Sequence, residues 1–197
     1  MERVLRIGLS LTAFGVFGMV LVGAPQGDAS GNWLDARTAN WNRPGAAIPL
    51  APKTTGIPAA ACASMLATPQ SREELALSRA GWLLPGRTPP SNSSVSVILA
   101  MSSFGAMCRP NEYQQFVFVD GQFAGTLSPT LMYARLDGSS IKLSFNAKQE
   151  LVVEFARYGP HDPLCCPSFV STAEYEILSE NGRPVVSLKN ATTRAAR

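Results

Sequence analysis

The chain has 197 residues, of which 46% are hydrophobic and 16% charged, with a formal net charge of +3. This length holds one modest domain plus a leader or tail, not a multidomain assembly. Lys and Arg are scattered without a run, which argues against a dedicated nucleic-acid binder, a class that carries a basic stripe.

Residues 1–29 read as a signal peptide. Arg3 and Arg6 form a basic start, and residues 7–23 are all apolar, Gly, Ser or Thr. Val22-Gly23-Ala24 and Gly27-Asp28-Ala29 both offer small-x-Ala cleavage patterns. Pro25 hinders the first, so cleavage after Ala29 is expected. The alternative is an uncleaved signal anchor, the one route to membrane association that the sequence offers. No cysteine lies near the end of the apolar run, so lipid anchoring is not expected. The expected location is extracytoplasmic, in the periplasm or secreted.

Residues 30–60 are rich in Pro, Gly, Ala and Asn without a lasting period, and are expected to be a flexible linker or arm. Trp33 and Trp41 are unusual in a tether and suit docking on the domain. Ser71-Arg72-Glu73-Glu74 has the capping-box pattern, and Gly81 suits a helix C-terminus, so a short helix is predicted over 71–80. Trp82-Leu83-Leu84 suggests the start of a strand. Residues 95–104 form an apolar run compatible with a buried strand or a helix.

Two hairpins are signalled by Asp120-Gly121 and Asn181-Gly182, each flanked by apolar runs. Between them, residues 141–145 and 151–156 alternate apolar and polar, as in an antiparallel sheet solvated on one face. Residues 190–197 are expected to be a frayed tail. The predicted fold class is α+β, an antiparallel sheet of about five to seven strands with one or two short helices, occupying residues 61–189.

The cysteines are Cys62, Cys108, Cys165 and Cys166. An even count in an exported chain predicts disulfides. Ordinary disulfides need Cα atoms at roughly 4.4–6.8 Å, beyond the roughly 3.8 Å between neighbours. Cys62 and Cys108 are therefore each expected to reach one of the adjacent pair, which of the two being left open.

Met107-Cys108-Arg109-Pro110, then residues 116–129, Arg157-Tyr158 and Asp162-Pro163-Leu164-Cys165-Cys166-Pro167-Ser168, resemble in their order the LppP/LprE family of bacterial envelope proteins, most of all its cyanobacterial branch. The resemblance covers roughly residues 60 to 188. It implies an exported domain of no established activity and offers no catalytic residues. Actinobacterial members carry a lipidated cysteine at the mature N-terminus, which this chain lacks.

His161 is the only histidine, and with Asp162 and Cys165 it forms a conceivable nucleophile set. His161, Cys165 and Cys166, with Cys62 or Cys108, also match the donor types of a zinc site. Against the nucleophile set stand the oxidising compartment and its packing into one turn, and against the zinc site the missing spacer between the adjacent cysteines. Arg109, His161 and Phe169 are the candidate binding residues: a cation flanked by Cys108 and Pro110, and two side chains on or beside a proline-stiffened loop. Asn92-Ser93-Ser94 and Asn190-Ala191-Thr192 match glycosylation acceptors, which count only in a glycosylating host. The functional expectation is a non-enzymatic, disulfide-stabilised envelope protein without cofactor, binding a protein or other envelope component. The alternative is a metal protein or thiol enzyme centred on His161, Cys165 and Cys166.

Overall fold

The computed structural model describes residues 32–36, 40–53, 57–86, 94–134, 138–146, 148, 150–163 and 165–196. The expected signal segment, 1–29, lies outside them, as do Asn92 and Ser93. Among the described residues no helix is long and apolar enough to cross a membrane.

Both hairpin signals form as written. Asp120 and Gly121 take φ of 47° and 77°, and Asn181 and Gly182 take 52° and 74°. Positive φ at both central residues matches the turn to the right-handed twist of its strands. Asp120-Gly121 joins β2 (Pro110–Val119) to β3 (Gln122–Thr126), and Asn181-Gly182 joins β7 (Phe169–Glu180) to β8 (Arg183–Ala195). The apolar run at 95–104 is a strand, β1 (Val95–Phe104), antiparallel to β2.

The strands build two antiparallel sheets. The first has the order β1-β2-β3, with β4 (Met132–Tyr133) pairing β2 at Glu112 and Tyr113, beyond the stretch that β3 covers. The second has the order β5-β6-β7-β8, with β5 at Ser139–Phe145 and β6 at Leu151–Arg157. Among the described residues eight strands form two sheets, close to the five to seven strands expected but in two layers rather than one. Alternation shows which residues share a face but not how many sheets those faces belong to.

The main core lies between the sheets. Val97, Met101, Tyr113 and Val117 from the first meet Leu151, Val153, Phe155, Ala173 and Tyr175 from the second. The opposite face of the first sheet is also covered: Ile98, Ala100, Phe116 and Phe118 pack with Leu77, Trp82 and Leu84. Strand β2 is thus buried on both faces, which explains the unbroken apolar run Phe116-Val117-Phe118 in a sheet whose partners alternate. Phe116 and Phe118, on one side of the strand, are core residues.

The outer cover is set by α1 (Arg72–Arg79). Ser71 Oγ accepts from Glu74 N at 3.1 Å, and Glu74 Oε2 accepts from Ser71 N at 3.2 Å, closing the predicted capping box. Leu77, wholly buried, is the side chain this helix delivers to the sheet; its burial contributes on the order of 2 kcal/mol. Trp82-Leu83-Leu84 does not begin a regular strand. It forms one isolated bridge instead, Leu83 opposite Met101 on the outer edge of β1. Trp82 stacks edge-on against Phe116 at 4.9 Å, its Nε1 donating to Pro49 O at 2.7 Å.

The described part of the arm is not a flexible linker. Trp33 and Leu34 are buried in the inter-sheet core, Trp33 edge-on to Trp41 at 5.4 Å and to Phe155 at 5.9 Å. Asn42 joins the two sheets. Its Nδ2 donates to Thr126 O at 2.9 Å on β3 and Val186 O at 3.0 Å on β8, while its Oδ1 accepts from Thr126 N at 2.9 Å. The side-chain amide does the work of a strand residue between two sheet edges. Gly125, at φ 133°, makes room for it, since a Cβ there would lie 2.3 Å from Asn42 Cγ.

Asp35 completes the anchor. Arg157 donates to its carboxylate at 2.8 and 3.4 Å, and Thr193 Oγ1 at 3.1 Å. The Arg157 hydrogen bonds hold the Asp35 pKa below the usual carboxylate range, against the opposing effect of burial. The tail is likewise ordered: β8 pairs with β7 as far as Ala195 opposite Phe169, so residues 190–195 are strand rather than frayed end. The arm escapes sequence reading because the strands it binds lie 84 to 144 positions away, and the tail because the outer residues of β8 are polar and exposed although they pair with β7.

A cleft between the edge strands and the loop of the paired cysteines

Where β3 and β8 are joined by Asn42, the strands at the other ends of the two sheets, β1 and β5, line a cleft. Its volume is about 890 Å³, within the usual range for small-molecule sites. Leu99, Met101 and Phe104 of β1 supply its apolar floor, with Tyr113 of β2, and Ser139, Ser140 and Ile141 of β5 form one wall. Ser64 and Met65, at the end of the 3-10 turn Ala59–Met65, contribute to the opposite side with Cys108, Arg109 and Pro110.

The wall made by β5 is held at its first residues. Tyr113 Oη donates to Gly138 O at 2.8 Å and accepts from Ser140 N at 3.1 Å, and Gln115 Nε2 donates to Ser140 Oγ at 3.3 Å. A phenol buried to 2% exposure would be costly without such partners. Here it ties β2 of one sheet to β5 of the other and fixes the depth of the cleft. The other buried phenol, Tyr175, donates to Leu127 O, and burial pushes its pKa well up.

The opposite side is held covalently. Cys62 bonds to Cys108, Cα atoms 5.4 Å apart, tying the 3-10 turn Ala59–Met65 to the turn between β1 and β2. That turn is unusual in its backbone. Met107 and Cys108, neither of them glycine, take φ of 59° and 54°. Left-handed conformations at such residues persist only where their surroundings enforce them, and they concentrate near functional sites. Arg109 follows directly, exposed and facing the cleft.

The pairing corrects the sequence expectation. Cys62 and Cys108 take each other, and Cys165 bonds to its neighbour Cys166 across a Cα separation of 3.8 Å. Exclusion of the neighbouring pair on ordinary disulfide geometry was the error. The spatial closeness of residues 62 and 108 comes from packing around β1, and no spacing in the sequence reports it.

The loop carrying His161 has a different organisation from either chemical alternative. Asp162 is its clasp: Oδ2 accepts from Gly159 N and Ser168 N, each at 2.7 Å, and Oδ1 accepts from Ser168 Oγ. These bonds, Ser168 Oγ first, lower the Asp162 pKa. The carboxylate is thus directed into loop closure, and both sulfurs beside it are joined to each other. Among the described residues no group of three or more His, Cys, Asp or Glu could hold a metal ion.

Of the three candidate binding residues, only Arg109 lines the cleft. His161 is exposed on the loop, and Phe169, 43% exposed, opens β7 opposite Arg157 and Ala195. The structure does not gather the three. Sequence reading passes over Ser140 and Ile141 as wall residues, because Ile141 stands in the ordinary apolar alternation with Leu143 and Phe145. Tyr158, beside the loop, does line the cleft, so the Arg157-Tyr158 pair links the arm's anchor to the site.

No curated protein and no solved structure matches the chain. The model of the LppP/LprE lipoprotein family matches residues 89–179. That segment runs from just before β1 nearly to the end of β7 and contains Arg109, Tyr113, the β5 wall, Tyr158 and the Cys165–Cys166 loop. Over that segment the chain is similar to the LppP/LprE lipoprotein family.

Proposed function

We propose that this protein is a non-enzymatic binding protein of the extracytoplasmic envelope, taking its ligand in the cleft between β1 and β5. The observation that carries the reading is the cleft itself. It is a largely apolar cavity of about 890 Å³ whose walls are fixed by a disulfide on one side and a buried phenol on the other. Such preformed walls reduce the ordering cost of binding. Acid–base or nucleophilic catalysis needs titratable side chains converging on one point, and the described lining contains no Asp, Glu or His. The family supports the location, not the ligand.

We further propose that the mature chain carries no lipid on a cysteine thiol, because all four sulfurs stand in disulfides. The test is native mass spectrometry of the exported protein after incubation with envelope extract. An adduct on the wild type that is absent from Ala134→Trp, which places an indole in the cleft, supports the reading. An unmodified mass in every fraction, or the same adduct on both proteins, defeats it.

A further inference from the structure

We infer that the ligand of this cleft is a single-chain amphiphile with one negative charge, a long-chain monocarboxylate, whose head group is held by Arg109. The inference rests on the proposal that the cleft is the binding site and adds the ligand's chemistry.

Three observations converge on it. First, Arg109 is the only charged side chain among the described lining residues. Its guanidinium has no acidic partner within ion-pair distance among those residues. A guanidinium suits a carboxylate because it offers paired, parallel donors. Second, the remaining polar groups lining the cleft are mainly hydroxyls, Ser64, Ser139, Ser140 and Tyr158, which donate readily to a carboxylate. The described lining has no Asn, Gln, Asp or Glu, the amide and acid groups with which a sugar or a cationic ligand would be gripped. Third, the apolar floor does not end at the mouth. Met65 and Ile141 continue it outward at 50% and 54% exposure. Apolar surface running from the interior to the rim fits a chain that enters lengthwise, and its burial drives the binding.

The probe is a fluorescent polyene fatty acid titrated into the full exported chain, alongside its methyl ester and a trimethylammonium amphiphile of the same length. Two exposed-site variants, Arg109→Gln and Ile141→Glu, are titrated in parallel. Neither side chain is buried, so both variants are expected to fold. The acid should bind wild type about tenfold more tightly than the ester, the value of one charge-assisted contact. Arg109→Gln should abolish that preference while leaving the ester's affinity unchanged. Ile141→Glu should weaken the acid more than the ester. Equal affinity for acid and ester, tighter binding of the cation, or an unaltered Arg109→Gln overturns the inference. Absence of all three probes from a wild type that still shows the cleft-dependent adduct of native mass spectrometry also overturns it, and leaves the binding reading intact. Loss of that adduct as well removes both.

Discussion

Removing the Cys62–Cys108 bond by the double substitution Cys62→Ala/Cys108→Ala should destabilise the domain far more than Cys165→Ala/Cys166→Ala. The first bond joins residues 46 positions apart. In the chain-entropy account, releasing a loop of that length restores about 4 kcal/mol of freedom to the unfolded chain. Cys62 is also 1% exposed, so truncating its sulfur to a methyl adds on the order of 1 kcal/mol of lost packing. With a urea dependence of about 2 kcal/mol per molar, the midpoint should fall by roughly 2 to 2.5 M. The neighbouring pair closes no chain loop, so its removal should shift the midpoint by less than about 0.5 M. Equilibrium urea unfolding of the oxidised proteins, followed by tryptophan fluorescence, makes the comparison. The competing pairing, each of Cys62 and Cys108 bonded to one of the adjacent cysteines, predicts that loss of Cys165 and Cys166 removes two long-loop staples at once. A midpoint for Cys165→Ala/Cys166→Ala as low as that of the other double variant would therefore refute the reasoning.

Asn42→Ala should cost about 2–3 kcal/mol in the same assay, because Thr126 N and Val186 O lose their side-chain partner and Thr126 O is left to Trp41 Nε1; a loss under about 0.5 kcal/mol would show that water replaces it. Gly125→Ala should cost about 2–4 kcal/mol, combining an unfavourable φ with a clash on Asn42, and a silent substitution would contradict the geometry. Asp35 has a folded-state pKa below its unfolded one, so its contribution is full above the ordinary carboxylate value near about 4 and disappears as pH falls through the lowered value. Thermal midpoints between about pH 2 and pH 7 should fall more steeply on acidification for wild type than for Asp35→Asn, and superimposable slopes would exclude the Arg157 pairing as a source of stability. Asp162 and Glu150 are shifted in the same direction, so the wild-type slope should persist in part in the variant.

Local features were legible. The Ser71 capping box, the two positive-φ hairpins and the alternation of residues 141–145 and 151–156 are contained in stretches of a few residues, and each formed as read. What the sequence concealed is pairing across distance. Trp33 reads as an oddity in a Pro/Gly-rich arm because the groups it packs on, Phe155 and Met132, lie about a hundred positions on. Asn42 has no local signature at all, since its role depends on two strand edges meeting. Residues 190–195 read as frayed because β8 lies flat on β7 with polar side chains outward, and polarity alone does not separate a solvated strand from a loose end. The cleft was half legible. Arg109 stood out beside its cysteine and proline, but Tyr113 and Ser140 face each other across two sheets, and that contact exists only once the layers are stacked.

The bonds from Asp35 to Arg157 and Thr193 bring one of the first described residues against one of the last. A chain that emerges from its N-terminus onward can cap its helix and close its first hairpin as these appear. It cannot seat Trp33 and Asp35 until the final strand has arrived, since residue 193 is part of their seat. Completion of the fold is thereby deferred until β8 has emerged, and a product truncated ahead of β8 would leave the anchor of Trp33 and Asp35 unseated, open to quality-control proteases.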